Sequence, residues 1–141
     1  MVSITRLRLR SARFLPGFAW HTWLSTRQVR RSPGFLGGYL AGGPGLAFWT
    51  VTVWTDQEAM RAFRSAGAHL SAMRKLIDWC DEAAVTHWDQ PLTESPSAET
   101  ASARLRGEGR LSKVRHPSPA HAAGQTWPDG KVPRPARALV P

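Results

Sequence analysis

The 141-residue chain is poor in several chemically useful residue types: it has one cysteine, one tyrosine and no asparagine. The lone Cys80 excludes an intramolecular disulfide and a cysteine-based zinc site, and a chain without disulfides suits a reducing cytoplasm. Also absent are the Gly-x-Ser-x-Gly, Gly-Lys-Ser/Thr, Gly-x-Gly-x-x-Gly and His-Glu-x-x-His motifs. The commonest hydrolase, nucleotide-binding and zinc-protease signatures are therefore excluded.

Acidic residues are also scarce, with 10 Asp and Glu against 19 Lys and Arg, which gives a net charge of +9. Such a charge is compatible with a nucleic acid, a phosphate or an anionic membrane as partner. Arginine supplies 16 of the 19 basic residues, and it is abundant together with Ala, Gly and Pro, as in proteins from GC-rich genomes. No arginine–aromatic motif of the RNA-binding kind occurs. We therefore expect no nucleic-acid partner.

No segment is typical of a signal peptide or a membrane span. Four arginines interrupt residues 1–15, which excludes a long apolar signal core. Residues 32–55 contain no charge and are long enough to cross a bilayer, but they include six glycines and two prolines. A β-hairpin explains that composition better. We expect a cytoplasmic protein without a membrane span.

The first strand and first helix are indicated by periodicity. In residues 5–10, Leu7 and Leu9 alternate with three arginines, as in a half-buried strand. Val2 and Ile4 are out of phase with these leucines, which indicates a late start or a bulge. Residues 14–30 have an apolar stripe at helical spacing, and Pro33-Gly34 ends the helix.

The hairpin comprises residues 35–42 and 46–55, and its second strand has two distinct faces. Trp49, Val51 and Val53 form an apolar face that suits a core against helices. The other face mixes aromatic rings with hydroxyl groups, as a cavity wall does; it consists of Phe48, Thr50, Thr52 and Trp54. A four-stranded sheet alone would leave that second face against water, so we expect a homodimer.

A second helical region and a last strand complete the order strand-helix-strand-strand-helix-strand. A capping box predicts a helix start at Thr55, and Gly67 predicts a kink or break. Residues 84–88 are predicted as the last strand. This order is the split βαβ pattern of an α+β, ferredoxin-like domain, which we assign to residues 1–90.

Composition changes after residue 90. Residues 91–111 predict one additional helix, opened by Ser95-Pro96. Residues 112–141 are basic and rich in proline and lack apolar periodicity. We expect this tail to be extended, partly disordered and dispensable for folding.

Among the ionisable residues, His69 has the position most suggestive of function. It follows the Gly67 break, where the helix axis changes and a side chain can be directed at a cavity; an exposed histidine at a helix start is the alternative. The other histidines are interpreted as structural or surface residues, without metal-ligand spacing. The acids Asp78, Asp81 and Glu82 are expected at a helix end, solvated or paired with arginine.

The run Phe48-Trp49-Thr50-Val51-Thr52-Val53-Trp54, the helix from Asp56 to Phe63 and the Gly67-Ala68-His69 sequence together resemble the antibiotic-biosynthesis-monooxygenase superfamily of dimeric α/β barrels. The resemblance covers residues 2–89, and a similar strand-helix-Gly-x-His passage occurs in spheroidene monooxygenases, which are associated with haem. The resemblance implies that the protein is a monooxygenase. Such an enzyme would form a homodimer and oxidise a small hydrophobic or aromatic substrate in a cavity of the barrel.

The resemblance also implies roles for particular residues. In cofactor-free members the substrate anion itself reduces oxygen, which gives His69 the role of proton acceptor and places Phe48, Thr50, Thr52 and Trp54 around the substrate. Haem-degrading members use a helix histidine as iron ligand, and there His69 would bind haem. Relatives of both kinds rely on a first-strand asparagine, which this chain lacks. A non-catalytic ligand-binding dimer is the third alternative.

Overall fold

The computed structural model describes residues 1–91 and 93–141; Leu92, in the predicted 91–111 segment, lies outside them. The strands are β1 (Val2–Leu9), β2 (Phe35–Gly42), β3 (Ala47–Trp54), β4 (Cys80–Trp88), β5 (Arg110–Leu111) and β6 (Arg134–Leu139). The helices are α1 (Leu15–Val29), α2 (Gln57–Arg64), α3 (Gly67–Trp79), α4 (Ala98–Glu108) and α5 (Pro119–Ala122). The predicted α+β, ferredoxin-like order βαββαβ is confirmed.

The strands form one antiparallel sheet in the order β5-β4-β1-β3-β2-β6, open at both edges and not closed into a barrel. β1 lies at the centre, between β3 and β4, as the split βαβ pattern requires. Its pairing with β4 shifts register between Arg8 and Leu9. The register is regular from Val2 to Arg8, so Val2 and Ile4 lie on one face and Leu7 on the other; the change of phase arises because β1 is buried on both faces.

The second helical region is split at Gly67, whose φ of 56° lies in the left-handed region that favours glycine. A Cβ at this position would also come within 3.0 Å of the Gln28 side-chain oxygen. The start of α2 differs from the prediction by one residue. Asp56, not Thr55, is the N-cap: its carboxylate accepts a hydrogen bond from Ala59 N at 2.8 Å. The carboxylate is the stronger acceptor, and the Thr55 hydroxyl donates to it.

β4 begins at Cys80 rather than at Ala84, so Asp81 and Glu82 lie in a strand and not at a helix end. Glu82 is 2% exposed and Arg6, in β1, is 1% exposed. Arg6 Nη1 donates to Glu82 Oε2 at 2.9 Å. Of the two expectations for these acids, pairing with arginine holds for Glu82. The expectation of an outward-pointing Arg6 is wrong, because its charge is neutralised inside the protein by Glu82 and Asp129.

Each face of the sheet is covered by a different part of the chain. α1, α2 and α3 lie on the face of Phe48 and Trp54, where an open cavity wall was expected. The apolar face of Trp49 packs instead against α4 and Trp127. The homodimer prediction rested on one face of the sheet remaining open to water, and the chain itself covers both.

The C-terminal segment contributes to this covering. β6 pairs with β2, and Leu139 is 2% exposed in a cluster with Trp54. Asp129 Oδ2 accepts a hydrogen bond from Arg6 Nη2 at 2.6 Å. With these contacts, the segment differs from the extended tail with little buried surface that was expected. The contacts join residues more than eighty positions apart, which periodicity within the segment does not reveal.

Candidate functional site

α1 lies along β3, with aromatic contacts at both ends. The rings of Phe18 and Phe48 are 4.6 Å apart between centroids, while Trp54 packs in an apolar cluster with the last turn of α1. Since alternate residues of a strand share a face, Thr50 and Thr52 lie between these contacts on the side facing the helix. All four predicted wall residues therefore share the face under α1.

The cross-strand neighbours of these threonines also carry hydroxyl groups. β1 places Ser3 opposite Thr52 and Thr5 opposite Thr50, and directly opposed residues share a face. We call Ser3, Thr5, Thr50 and Thr52 the hydroxyl floor. Thr52 Oγ1 donates to the Ser3 carbonyl at 3.4 Å, and the other three side chains are half-buried. The floor is a polar strip between two aromatic contacts on this face.

α1 adds polar atoms above the floor. Ser25 follows Phe18 by seven residues, about two helical turns, so it projects toward the same side of the helix. Ser25 Oγ and His21 Nδ1 are buried, and neither has a hydrogen-bond partner in the described part of the chain. Leaving such a group unpaired costs about 1–3 kcal/mol, so a polar ligand atom that reached Ser25 would be stabilised.

His69 is held at the junction of α2 and α3 by two contacts. Its backbone N donates to Gln28 Oε1 at 2.9 Å, and its Nδ1 lies 3.3 Å from the carbonyl oxygen of Arg64. Because a carbonyl oxygen only accepts, this contact places the ring proton on Nδ1 and leaves the lone pair on Nε2. Burial lowers the pKa of His69 from its ordinary value of 6.5. The imidazole is therefore neutral at pH 7 and able to accept a proton or bind a metal ion.

Gln28 is the residue that fixes this junction. Its Nε2 donates to the carbonyl oxygens of Ala66 at 3.0 Å and Phe63 at 3.2 Å, while its Oε1 accepts from His69. Three hydrogen bonds thus tie α1 to the break between α2 and α3. Sequence reasoning missed Gln28, since its partners lie more than thirty residues away.

An aromatic path connects His69 to β3. The His69 and Phe63 rings are 4.5 Å apart, and those of Phe63 and Trp54 are 5.2 Å apart. Trp54 is 1% exposed, and its indole N–H has no hydrogen-bond partner among the described residues. The structure thus brings His69 and Trp54 together through Phe63. Within the same residues, no hydrogen bond or ring contact joins His69 to the hydroxyl floor or to Phe48.

His87 extends the floor toward a group of basic residues. It lies opposite Ser3 in β4, and burial first, then the charges of Arg110, Arg64 and Arg61, lower its pKa from 6.5. We call these three arginines the basic rim. They are exposed, and none forms an ion pair within the described residues. Sequence reasoning interpreted His87 as a structural or surface residue. His87 follows Val85 by two positions in β4, so the two side chains share a face of the sheet. This spacing was the signal that His87 faces the helices.

Other chemically active groups do not form a site. Burial, and next the charge of Asp81, raise the pKa of Cys80 to about 12, so the thiol is unreactive. No group of three His, Cys, Asp or Glu residues that could bind a metal occurs in residues 1–91 and 93–141. Two shallow depressions, of about 430 Å³ beside Trp127 and about 700 Å³ beside Arg61, include no predicted site residue.

Three solved structures share the fold of this chain. A protein from Nitrosomonas europaea described as an antibiotic biosynthesis monooxygenase has a TM-score of 0.55 at 15% identity, over 64% of this chain and 98% of that one. A variant of SnoaB, a cofactor-independent oxygenase from Streptomyces nogalater, has a TM-score of 0.51 at 21% identity, over 66% of this chain and 96% of that one. Another structure, described as an antibiotic biosynthesis monooxygenase, has a TM-score of 0.56 at 12% identity, over 65% of this chain and 100% of that one. The predicted resemblance to these monooxygenases is confirmed, and at such identities it concerns the fold.

Residues 6–113 match the family described as a domain of unknown function, DUF3291, and the chain belongs to that family. No curated protein sequence matches this chain.

Proposed function

We propose that the protein is a monooxygenase-like enzyme that oxidises a small hydrophobic or aromatic substrate without a dedicated cofactor. The observation that carries the proposal is the state of His69: a partly desolvated, neutral imidazole whose proton is held on Nδ1 by the Arg64 carbonyl. Such a group has the properties of a general base at neutral pH.

In this proposal, Nε2 of His69 takes a proton from an acidic O–H or C–H group of the substrate. The substrate anion transfers two electrons to O₂, a C–O bond forms, and the imidazolium returns its proton to the peroxide oxygen. Loss of water from this hydroperoxide leaves a carbonyl group. One O₂ is consumed and one water is released for each carbon oxidised to C=O, whether it is a ring C–H of a phenol or the carbon beside an enol C–OH, without an external reductant.

The remaining residues bind and orient the substrate. Thr50 and Thr52 offer hydroxyl groups to its oxygen atoms, while Phe48 and Trp54 border the floor with aromatic surface suited to a planar molecule. The basic rim stabilises the anionic form of the substrate, because nearby positive charge lowers the pKa of an acidic group. We therefore propose a substrate that is readily deprotonated, such as a phenol or an enol.

Oxygen uptake with a panel of phenols and enols, without added cofactor, tests the proposal. We expect His69→Gln to lower the rate on the order of 10²–10⁴-fold, the usual contribution of a general base. The matched control is His116→Gln, which changes an exposed histidine of the C-terminal segment and should leave the rate unchanged. Undiminished turnover in the His69→Gln variant would show that His69 is a structural residue.

The same panel separates catalysis from binding. If compounds bind, measured by quenching of tryptophan fluorescence, but no oxygen is consumed, the protein is a non-catalytic ligand-binding protein. The homodimer in this proposal rests on the resemblance to dimeric α/β barrels alone, because the chain itself covers both faces of the sheet. Light scattering should then give twice the chain mass of 15.6 kDa, and a monomer mass would contradict it.

A haem-binding monooxygenase is the second candidate, and one observation favours it. A histidine that donates its Nδ1–H to a backbone carbonyl has the arrangement typical of a metal-binding imidazole, with Nε2 free to bind iron. The basic rim would suit the carboxylates of haem. Haem would supply oxygen activation at its iron, whereas the chain would hold it through His69. Titration with haem should then give a Soret band that His69→Gln weakens and His116→Gln preserves.

A further inference from the structure

The outward face of α1 carries two exposed tryptophans. Trp20 is 57% and Trp23 is 42% exposed, and their rings stack at 5.2 Å between centroids. The guanidinium of Arg27 lies 4.9 Å from the Trp23 ring centre. Spacings of three and four residues place all three on one stripe, opposite the stripe that contacts the sheet. Two large aromatic side chains exposed side by side are typical of an interaction surface.

The surroundings of this pair are positively charged. The first acidic residue of the chain is Asp56, so α1 and both of its flanking segments contain none. Arg13, Arg27 and Arg31 are exposed, and none of them forms an ion pair within the described residues. We call these arginines together with Trp20 and Trp23 the α1 patch. A second copy of the chain would bring like charges together, so the patch suits an anionic partner.

The shape of the patch decides between anionic partners. Proteins that bind single-stranded nucleic acid use a groove and free ring faces on which bases stack. Here the surface is the convex outside of a helix, and the facing sides of the two rings are in contact with each other. Exposed tryptophan side chains, by contrast, favour the headgroup level of a bilayer, and clusters of exposed arginines bind anionic lipid headgroups.

We propose that the α1 patch binds membranes rich in anionic phospholipid, with Trp20 and Trp23 at headgroup level and the arginines paired with lipid phosphates. The protein would lie on the membrane surface. This agrees with the finding that no helix of the described residues is long and apolar enough to span a bilayer. The patch lies on the opposite side of α1 from the hydroxyl floor, so this proposal is independent of the proposed reaction.

Co-sedimentation of the full chain with vesicles tests the proposal. We expect binding to phosphatidylcholine vesicles containing a quarter phosphatidylglycerol, weak binding to pure phosphatidylcholine, and a decrease with added salt. Trp20→Ser/Trp23→Ser should lower the partition coefficient about tenfold or more. Val140→Ser is the matched control, since Val140 is 58% exposed and lies outside the patch.

A charge-matched pair of triple variants separates the patch from general basicity. Arg13→Gln/Arg27→Gln/Arg31→Gln should reduce vesicle binding, whereas Arg106→Gln/Arg134→Gln/Arg137→Gln removes the same charge from α4 and β6 and should reduce it much less. Circular dichroism checks that each variant is folded. The proposal is overturned by equal losses in both triples, by unchanged binding of the tryptophan variant, or by absence of binding to anionic vesicles. It is also overturned if the patch binds a single-stranded oligonucleotide more tightly than vesicles, measured by fluorescence anisotropy.

Discussion

The two faces of the central sheet are built from neighbouring residues of the same strands, yet they differ in composition and packing. On the face covered by α4, Val2, Ile4, Trp49, Val51 and Val53 are each at most 1% exposed. On the face covered by α1 and α3, the hydroxyl floor interrupts the core and most of its side chains are half-buried. Close packing on one face stabilises the sheet, which permits polar, incompletely packed groups on the other.

The C-terminal segment contributes mainly to the face covered by α4, which we call the stabilising face, while Leu139 packs with Trp54 on the other face. Trp127 packs against Trp49, and Asp129 is one of the two acidic partners of Arg6. The other is Glu82, which also accepts a hydrogen bond from Ser118 at 3.0 Å. The segment thus completes both the apolar core and the buried ion pairs on that face.

Deletion of residues 112–141 should therefore have the largest effect. It removes one acidic partner of the buried Arg6 and also removes β6 and Trp127, so we expect the melting temperature to fall by roughly 10 °C or more. This outcome is the opposite of the one that composition alone predicts. A truncated chain with an unchanged melting temperature in calorimetry would restore the expectation of a dispensable tail.

The second-largest loss of stability is expected from a substitution on the stabilising face. Trp49→Ala should lower the free energy of unfolding by about 3–5 kcal/mol, because it leaves a large cavity between the sheet, α4 and Trp127. Urea denaturation measures this loss in the free energy of unfolding. A loss below about 1 kcal/mol would show that this face is loosely packed and that the contrast between the faces is wrong.

Local patterns predicted what depends on neighbours in sequence. Alternation along β3 separated its two faces, and the glycine at position 67 predicted the helix break, because period and backbone freedom are properties of short segments. The choice of His69 as a candidate site residue rests on the same helix break. Burial of Arg6 could not be predicted, since its partners Glu82 and Asp129 are 76 and 123 residues away.

The candidate site was predictable only in part for the same reason. Thr50 and Thr52 were identified from one strand, whereas Ser3 and Thr5 join them through the register of β1 with β3. β6 was missed because Arg134–Leu139 lacks the alternation of a half-buried strand: only Leu139 among its residues is buried. Its pairing with β2 is a property of the folded chain.

Substitution of the hydroxyl floor should have a smaller effect on stability and a larger one on ligand binding. Thr50→Val/Thr52→Val removes two hydroxyl groups while keeping the side-chain shape, so we expect a change below about 1 kcal/mol in unfolding free energy. Affinity for an active phenol should fall several-fold, measured by isothermal titration. If the double variant instead loses stability comparable to Trp49→Ala and binds normally, the floor is part of the core.

The smallest expected effect concerns the pH dependence of stability. Burial lowers the pKa values of His69 and His87 in the folded protein below 6.5, so the unfolded chain binds protons first as the pH falls. The free energy of unfolding should therefore be constant with respect to these groups above pH 6.5 and decrease below it, until the folded-state pKa values are reached. His69→Gln should reduce this slope between pH 6.5 and 5.5, and His69→Gln/His87→Gln should reduce it further. Urea denaturation at a series of pH values gives the slopes. An identical slope in wild type and His69→Gln would mean that this imidazole is fully solvated, and the neutral base on which the proposed reaction rests would lose its physical basis.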